Sequence, residues 1–198
     1  MTSSLLTLII SFGYVGLFAL IFAESGLLFG FFLPGDSVLF SVGLLASRGS
    51  FTIWILVPLV VVAAILGDSV GYWFGARIGP ALFEREDSKI FKKRYLKETQ
   101  EYYTKYGPIT IVLARFIPAV RTFAPILAGV GRMPYGVFLR YNVLGGTLWG
   151  AGITLLGYFL GTTIPGIDQY IYPIIALIIV VSVAPVAFKW WQERSKKQ

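Results

Sequence analysis

Among the ionisable side chains inside otherwise apolar stretches of this chain are Glu24, Asp36, Asp68, Arg115 and Arg121. A charge at the centre of a membrane helix costs about 2.5–3.5 kcal/mol on the insertion scale, so a task is its default explanation. Two guanidiniums, each a rigid fork of donors, suit bidentate capture of a phosphate, which the point charge of lysine does not match. Carboxylates nearby can hold those guanidiniums in place, or take up and release protons. The alternative is a set of ion pairs that only pins helices together, a task apolar packing performs at lower cost. Asp36 follows Pro34-Gly35 and precedes an apolar run, so it also suits the N-cap of a helix.

Composition narrows the chemistry further. The 198 residues are 56% hydrophobic and 14% charged, with a mean hydropathy of +0.74. Soluble domains carry nearer a quarter charged residues, so lipid belongs to the solvent of this chain. Histidine and cysteine are both absent. That removes Ser-His-Asp triads, phosphohistidine steps, zincin motifs and thiolate chemistry, and leaves Asp or Glu to carry any proton. The remaining acids make no two-metal pattern, so neither an enzyme, a metal nor a cofactor is expected. The net charge of +7 does not point to nucleic acid. Lys and Arg gather at 85–105 and 189–197, beside apolar segments, the positive-inside pattern of a plasma-membrane protein with a cytoplasmic C-terminus. The N-terminal Met1-Thr2-Ser3-Ser4 has no basic region of a secretory signal.

The elements that position these charges follow from the breaks. An all-α, polytopic integral membrane protein is expected, with two inverted repeats and a final transmembrane helix. Residues 1–80 form the first repeat, 81–106 a basic amphipathic linker on the cytoplasmic side, and 107–163 the second repeat. Residues 168–188 form the C-terminal span and 189–198 a basic cytoplasmic tail. Each repeat pairs a re-entrant hairpin with one crossing helix, at 51–79 and 135–163. The apolar arms 5–33 and 37–47 meet at Pro34-Gly35, and the second is too short to cross, since a span needs about 20 residues. Pro118 and Pro125 likewise argue against a straight span over 107–131.

Even parity agrees. If both basic clusters are cytoplasmic, the crossings between them are even in number, and a hairpin returning to its own side satisfies that. Glu24 and Asp36 would lie about 18 Å apart on a continuous helix, and Arg115 and Arg121 about 240° apart around one. Breaks at Pro34-Gly35 and Pro118 could bring each pair into one cavity. Gly67, Gly71, Gly75 and Gly79 make a stripe for close helix packing. Gly71-Tyr72-Trp73-Phe74-Gly75 and Gly157-Tyr158-Phe159-Leu160-Gly161 mark the repeat, whose inverted form is common in transporters built from broken helices.

These residues also carry a family resemblance over nearly the whole chain. Glu24-Ser25-Gly26-Leu27 through Leu33-Pro34-Gly35-Asp36-Ser37, then Gly67-Asp68 with Gly71-Tyr72 and Gly75, stand in order before Arg115-Phe116-Ile117-Pro118 with Arg121-Thr122 and Pro125. Ala128-Gly129, Met133, Phe138, Asn142, Gly145 and Trp149 follow. In this the chain resembles the DedA family, whose core is the VTT-type domain. The resemblance implies two inverted repeats with re-entrant hairpins, and lipid translocation. Recycling of undecaprenyl (polyprenyl) phosphate is the leading activity; a less selective phospholipid flippase or scramblase, or a proton-coupled solute transporter, is the alternative. It implies a proton-linked role for Glu24 and Asp36, to which the residue reading adds Asp68. Arg115 and Arg121 would bind phosphate, with Asn142 as a supporting polar group. The expected partners are membrane lipid and protons; self-association is left open.

Overall fold

The computed structural model of the chain describes residues 2–26, 35–84, 103 and 105–164. Its elements are helices: α1 (Thr2–Gly26), α2 (Gly35–Ser47), α3 (Ile53–Glu84), α4 (Ile109–Ala114), α5 (Pro118–Val130) and α6 (Tyr135–Thr163). Among the described residues, only α3 and α6 contain stretches long and apolar enough to cross a membrane, Ile53–Ile78 and Tyr135–Thr163. Their outward faces are as apolar as a core. Val62, Leu66, Val70, Trp73 and Phe74 on α3, and Leu144, Leu148, Leu156 and Phe159 on α6, are all exposed. The inward faces carry Asp68, Asn142 and Thr154, each buried. A polar interior inside an apolar exterior is the arrangement lipid requires and water penalises.

Several boundaries differ from those the sequence suggests. The crossing helix expected to end at residue 79 runs on to Glu84 as α3, so the boundary at 80/81 falls inside it. Its 32 residues rise about 48 Å, more than the roughly 30 Å of hydrocarbon; Pro80 removes one hydrogen bond near the end of a long helix without ending it. The helical path is interrupted at residues 115–117, between α4 and α5. Ile117 is extended (φ −114°, ψ 107°) and Pro118 opens α5. A residue before proline is held out of the helical region, and proline's missing N–H costs nothing at a first helical position. Pro125 does not break the chain; it lies inside α5. Its ring sits beside Gly71, where an added Cβ would come within 3.6 Å of the Pro125 Cβ. Residues 27–34, the linker 85–102 and the segments at 168–188 and 189–198 lie outside the described residues, as does Pro34; Gly35 is the first residue of α2.

The chain divides into two compact units. One holds α1, α3, α4, α5 and α6 as far as Gly152; the other holds α2 and α6 from Ile153. In the first unit the glycine stripe is divided between two neighbours. Gly67 meets α1, where its missing Cβ would lie 2.6 Å from the Phe22 carbonyl oxygen. Gly75 and Gly129 lock α3 to α5 reciprocally: a Cβ on the one would lie 2.1 Å from the Ile126 oxygen, and on the other 2.1 Å from the Tyr72 oxygen. The second unit repeats the device between α6 and α2, with Gly157 against the Phe40 oxygen at 2.2 Å and Gly43 against the Thr154 oxygen at 2.0 Å. Close packing, the plain reading of these glycines, accounts for them.

One end of the first unit is sealed by an aromatic cluster. Tyr72, Ile111, Ala128, Met133 and Phe138 form its core, Tyr72 and Phe138 stack at 4.7 Å, and the Tyr72 hydroxyl donates to the Met133 carbonyl. The Tyr72–Ala76 turn of α3, the start of α4, the end of α5 and the start of α6 therefore meet at one place.

Candidate functional site

The ion pairs lie further into the first unit, away from that cluster. Gly26 and Gly67 cross so closely that a Cβ on Gly26 would meet the Gly67 carbonyl oxygen at 2.7 Å. That crossing sets Glu24 of α1 and Asp68 of α3 at the same level. From the other side the break between α4 and α5 supplies the cations. Arg115 is the C-cap residue of α4; Arg121 lies in the first turn of α5 and donates its backbone N–H to the Ile117 carbonyl at 3.0 Å.

Arg115 is walled in. One guanidinium nitrogen, Nη2, pairs with Asp68 Oδ2 at 2.7 Å and donates to the Ala64 carbonyl at 3.2 Å. The other, Nη1, donates to Asn142 Oδ1 at 3.2 Å. Asn142 in turn donates from Nδ2 to the Ile65 carbonyl at 3.1 Å. Two glycines on α6 make room for the side chain: a Cβ on Gly146 would lie 3.1 Å from Arg115 Nη1, and one on Gly145 3.5 Å from Arg115 Cδ. Arg115 and Asp68 are both buried.

Arg121 is held differently. Its Nη2 pairs with Glu24 Oε1, and its side chain keeps 11% of its surface exposed while that of Glu24 keeps 1%. Trp149 joins the two pairs. The Arg115 guanidinium carbon lies 5.6 Å from the centre of its ring and that of Arg121 4.9 Å, cation–π contacts on a shared indole. Both guanidiniums also act electrostatically on Asp68. Two acids and two bases thus occupy one low-dielectric region with no net charge. Next to Arg121, Thr122 is buried and its hydroxyl has no hydrogen-bond partner in the structure.

Of the residues singled out from sequence, the structure brings together Glu24, Asp68, Arg115, Arg121 and Asn142. Asp36 belongs to the other unit, in the first turn of α2, where a carboxylate complements the positive end of the helix dipole. What the structure joins to Glu24 is Arg121. Among the described residues no three Asp or Glu lie close enough to hold a metal. Trp149 is the residue that sequence reasoning did not assign to the site. It stands seven residues after Asn142, two turns along the same face of α6, with Gly145 and Gly146 between; that spacing was the available signal.

The VTT domain matches residues 3–159 of the chain. Among curated relatives, an uncharacterized membrane protein of Mycobacterium leprae is 48% identical over 172 residues, 87% of this chain and 77% of the relative. Protein DedA of Escherichia coli K12 is 47% identical over 174 residues, 87% and 79% of the two chains. Inner membrane protein YqjA of the same strain is 33% identical over 175 residues, 88% and 79% of the two. No solved structure matches. The apolar outward faces, the helical fold and these relatives agree: the chain is a membrane protein belonging to the DedA family, with a VTT domain.

Proposed function

We propose that the chain moves an anionic lipid phosphate across the bilayer, a polyprenyl phosphate such as undecaprenyl phosphate in the first place, and is not an enzyme. The observation that carries this reading is the unequal accessibility of two guanidiniums on one indole, one buried and one partly exposed. Arg115, enclosed by Asp68, Asn142 and the Ala64 carbonyl, sets the position of the site. Arg121 keeps part of its side chain exposed and faces a carboxylate that a phosphate can displace.

Charge arithmetic links binding to protons. The region is neutral with two acids and two bases, so a phosphate monoanion that takes over Arg121 leaves one negative charge in excess. A proton on the displaced Glu24 restores neutrality; with no histidine in the chain, a carboxylate must take that role. Binding and proton uptake are then reciprocal. In this reading α4 and α5 form a re-entrant hairpin whose break lies at depth, α1 and α2 are its counterpart in an inverted first repeat, and the C-terminus is cytoplasmic.

The test is translocation in proteoliposomes, comparing labelled undecaprenyl phosphate with an ordinary phospholipid. Arg121→Lys keeps the charge and loses the fork, and transport should fall roughly tenfold or more, the worth of one charge-assisted hydrogen bond. Imposing a pH gradient should speed wild type but not Glu24→Gln. Equal rates for both lipids would favour the less selective flippase or scramblase, and indifference of wild type to the gradient would remove the proton.

A further inference from the structure

The aromatic cluster at one end of the first unit gathers four chain segments, and each carries a cation within two residues of a cluster member. Arg77 follows Ala76, Lys105 follows Tyr103 by two, Arg132 precedes Met133 and Arg140 precedes Tyr141. Arg77, Lys105, Arg132 and Arg140 are all exposed. Of the carboxylates, Asp68 lies one helical turn before Tyr72, where it pairs with Arg115, and Glu101 lies two residues before Tyr103 in the sequence.

Arg132 is the informative member. It ends α5 in the left-handed conformation, φ 55°, the one non-glycine with a positive φ among the described residues. Glycine is the usual occupant of that position because a Cβ there is strained, and glycines stand close by at 129 and 131. The side chain is exposed. Its backbone N–H donates to Gly129 at 3.0 Å, and Gly129 abuts Ala76, so Arg132 and Arg77 flank one spot. Arg77 lies nine residues beyond Asp68, about 13 Å along α3. Trp73, 58% exposed, and Tyr106, 51% exposed, are the aromatics expected at the headgroup level.

We infer that this end of the first unit is a docking surface for anionic lipid headgroups in the bilayer, with Arg132 and Arg77 on the phosphate and Lys105 and Arg140 at its flanks. Its use as a loading point for the ion pairs rests on the translocation reading; the binding itself does not. The competing explanation is local: a cation near the C-terminal end of α5 is favoured by the helix dipole alone.

Arg132→Gly separates the two. It relieves the backbone strain, so its melting temperature should equal or exceed wild type, and any loss of lipid is then not a loss of fold. Native mass spectrometry of the purified protein, offered phosphatidylglycerol or phosphatidylcholine, should show wild type retaining the anionic lipid preferentially. Arg132→Gly should retain about fivefold less of it, and the pair with Arg77→Gln less again. Wild-type retention by Arg132→Gly would reduce Arg132 to a helix cap and overturn the inference. So would inorganic phosphate competing as well as the lipid, which would make the surface a free-anion site. Intact lipid retention with no translocation by wild type would sink the transport reading and leave this surface standing.

Discussion

Arg115 and Arg121 are six residues apart and bear the same charge, yet the break between α4 and α5 gives them different surroundings. Replacing one partner of a buried ion pair leaves an uncompensated charge, which costs about 3–5 kcal/mol. Asp68→Asn should therefore destabilise the protein by that order in detergent melts, with Arg115 still charged in a site only 4% exposed. Adding Arg115→Met to Asp68→Asn should recover most of the loss, because the charge is then gone. Glu24→Gln should cost less, since the Arg121 side chain keeps contact with its surroundings outside the protein. If Asp68→Asn melts like wild type, the Arg115–Asp68 pair contributes nothing to holding α4 on α3. The charges themselves were legible in the sequence, because apolar surroundings make any Glu or Arg conspicuous. Their pairing was not. Glu24 and Arg121 are 97 residues apart, and which acid meets which base is decided by the Gly26–Gly67 crossing and the turn at Ile117, neither of which periodicity reports.

At the scale of elements, proline and glycine act through what lies opposite them. Pro118 and Pro125 look alike in sequence, but Pro118 falls where the chain can start a helix, and Pro125 falls where α3 presents Gly71 and leaves room for its ring. The glycine stripe was readable as a packing face; which neighbour each glycine serves was not, since Gly67 takes α1 and Gly75 takes α5. A Cβ at position 75 has a backbone oxygen 2.1 Å away, so nothing can yield by rotating a side chain. Gly75→Ala should push α5 from α3, displace Arg121 with it, and lower both the melting temperature and translocation. Gly136→Ala is the control. Nothing lies within 4 Å of its added Cβ, and on α6 it should be neutral or gain up to about 1 kcal/mol from reduced backbone freedom. A Gly75→Ala protein as stable and active as Gly136→Ala would mean that the two helices do not pack this closely in the bilayer.

At the scale of the molecule, the two glycine-locked units are built by exchange. The Gly-Tyr-Trp-Phe-Gly helix of the first half, α3, packs on α5 from the second half; the Gly-Tyr-Phe-Leu-Gly helix of the second half, α6, packs on α2 from the first. The five-residue echo was legible in the sequence; which helix each of the two segments packs on was not. Orientation can be argued from the aromatic cluster. Trp73, about three turns before the end of α3, and Tyr135 at the start of α6 lie 5.2 Å apart there, so the chain leaves and returns at one level. The proposed topology, with α4 and α5 as a hairpin and the basic 85–105 segment cytoplasmic, requires an even number of crossings between α3 and α6. Single cysteines at Lys93, Arg132 and Lys196 should be labelled by a membrane-impermeant reagent from the cytoplasmic side only. A cysteine at Ser50, in the turn that precedes α3, should be labelled from the outside, because one crossing separates it from Glu84. Lys93 and Arg132 labelled from opposite sides would require α4 and α5 to cross the bilayer as one span, and would place Arg115 and Arg121 on a through-going helix instead of at the depth of a returning one.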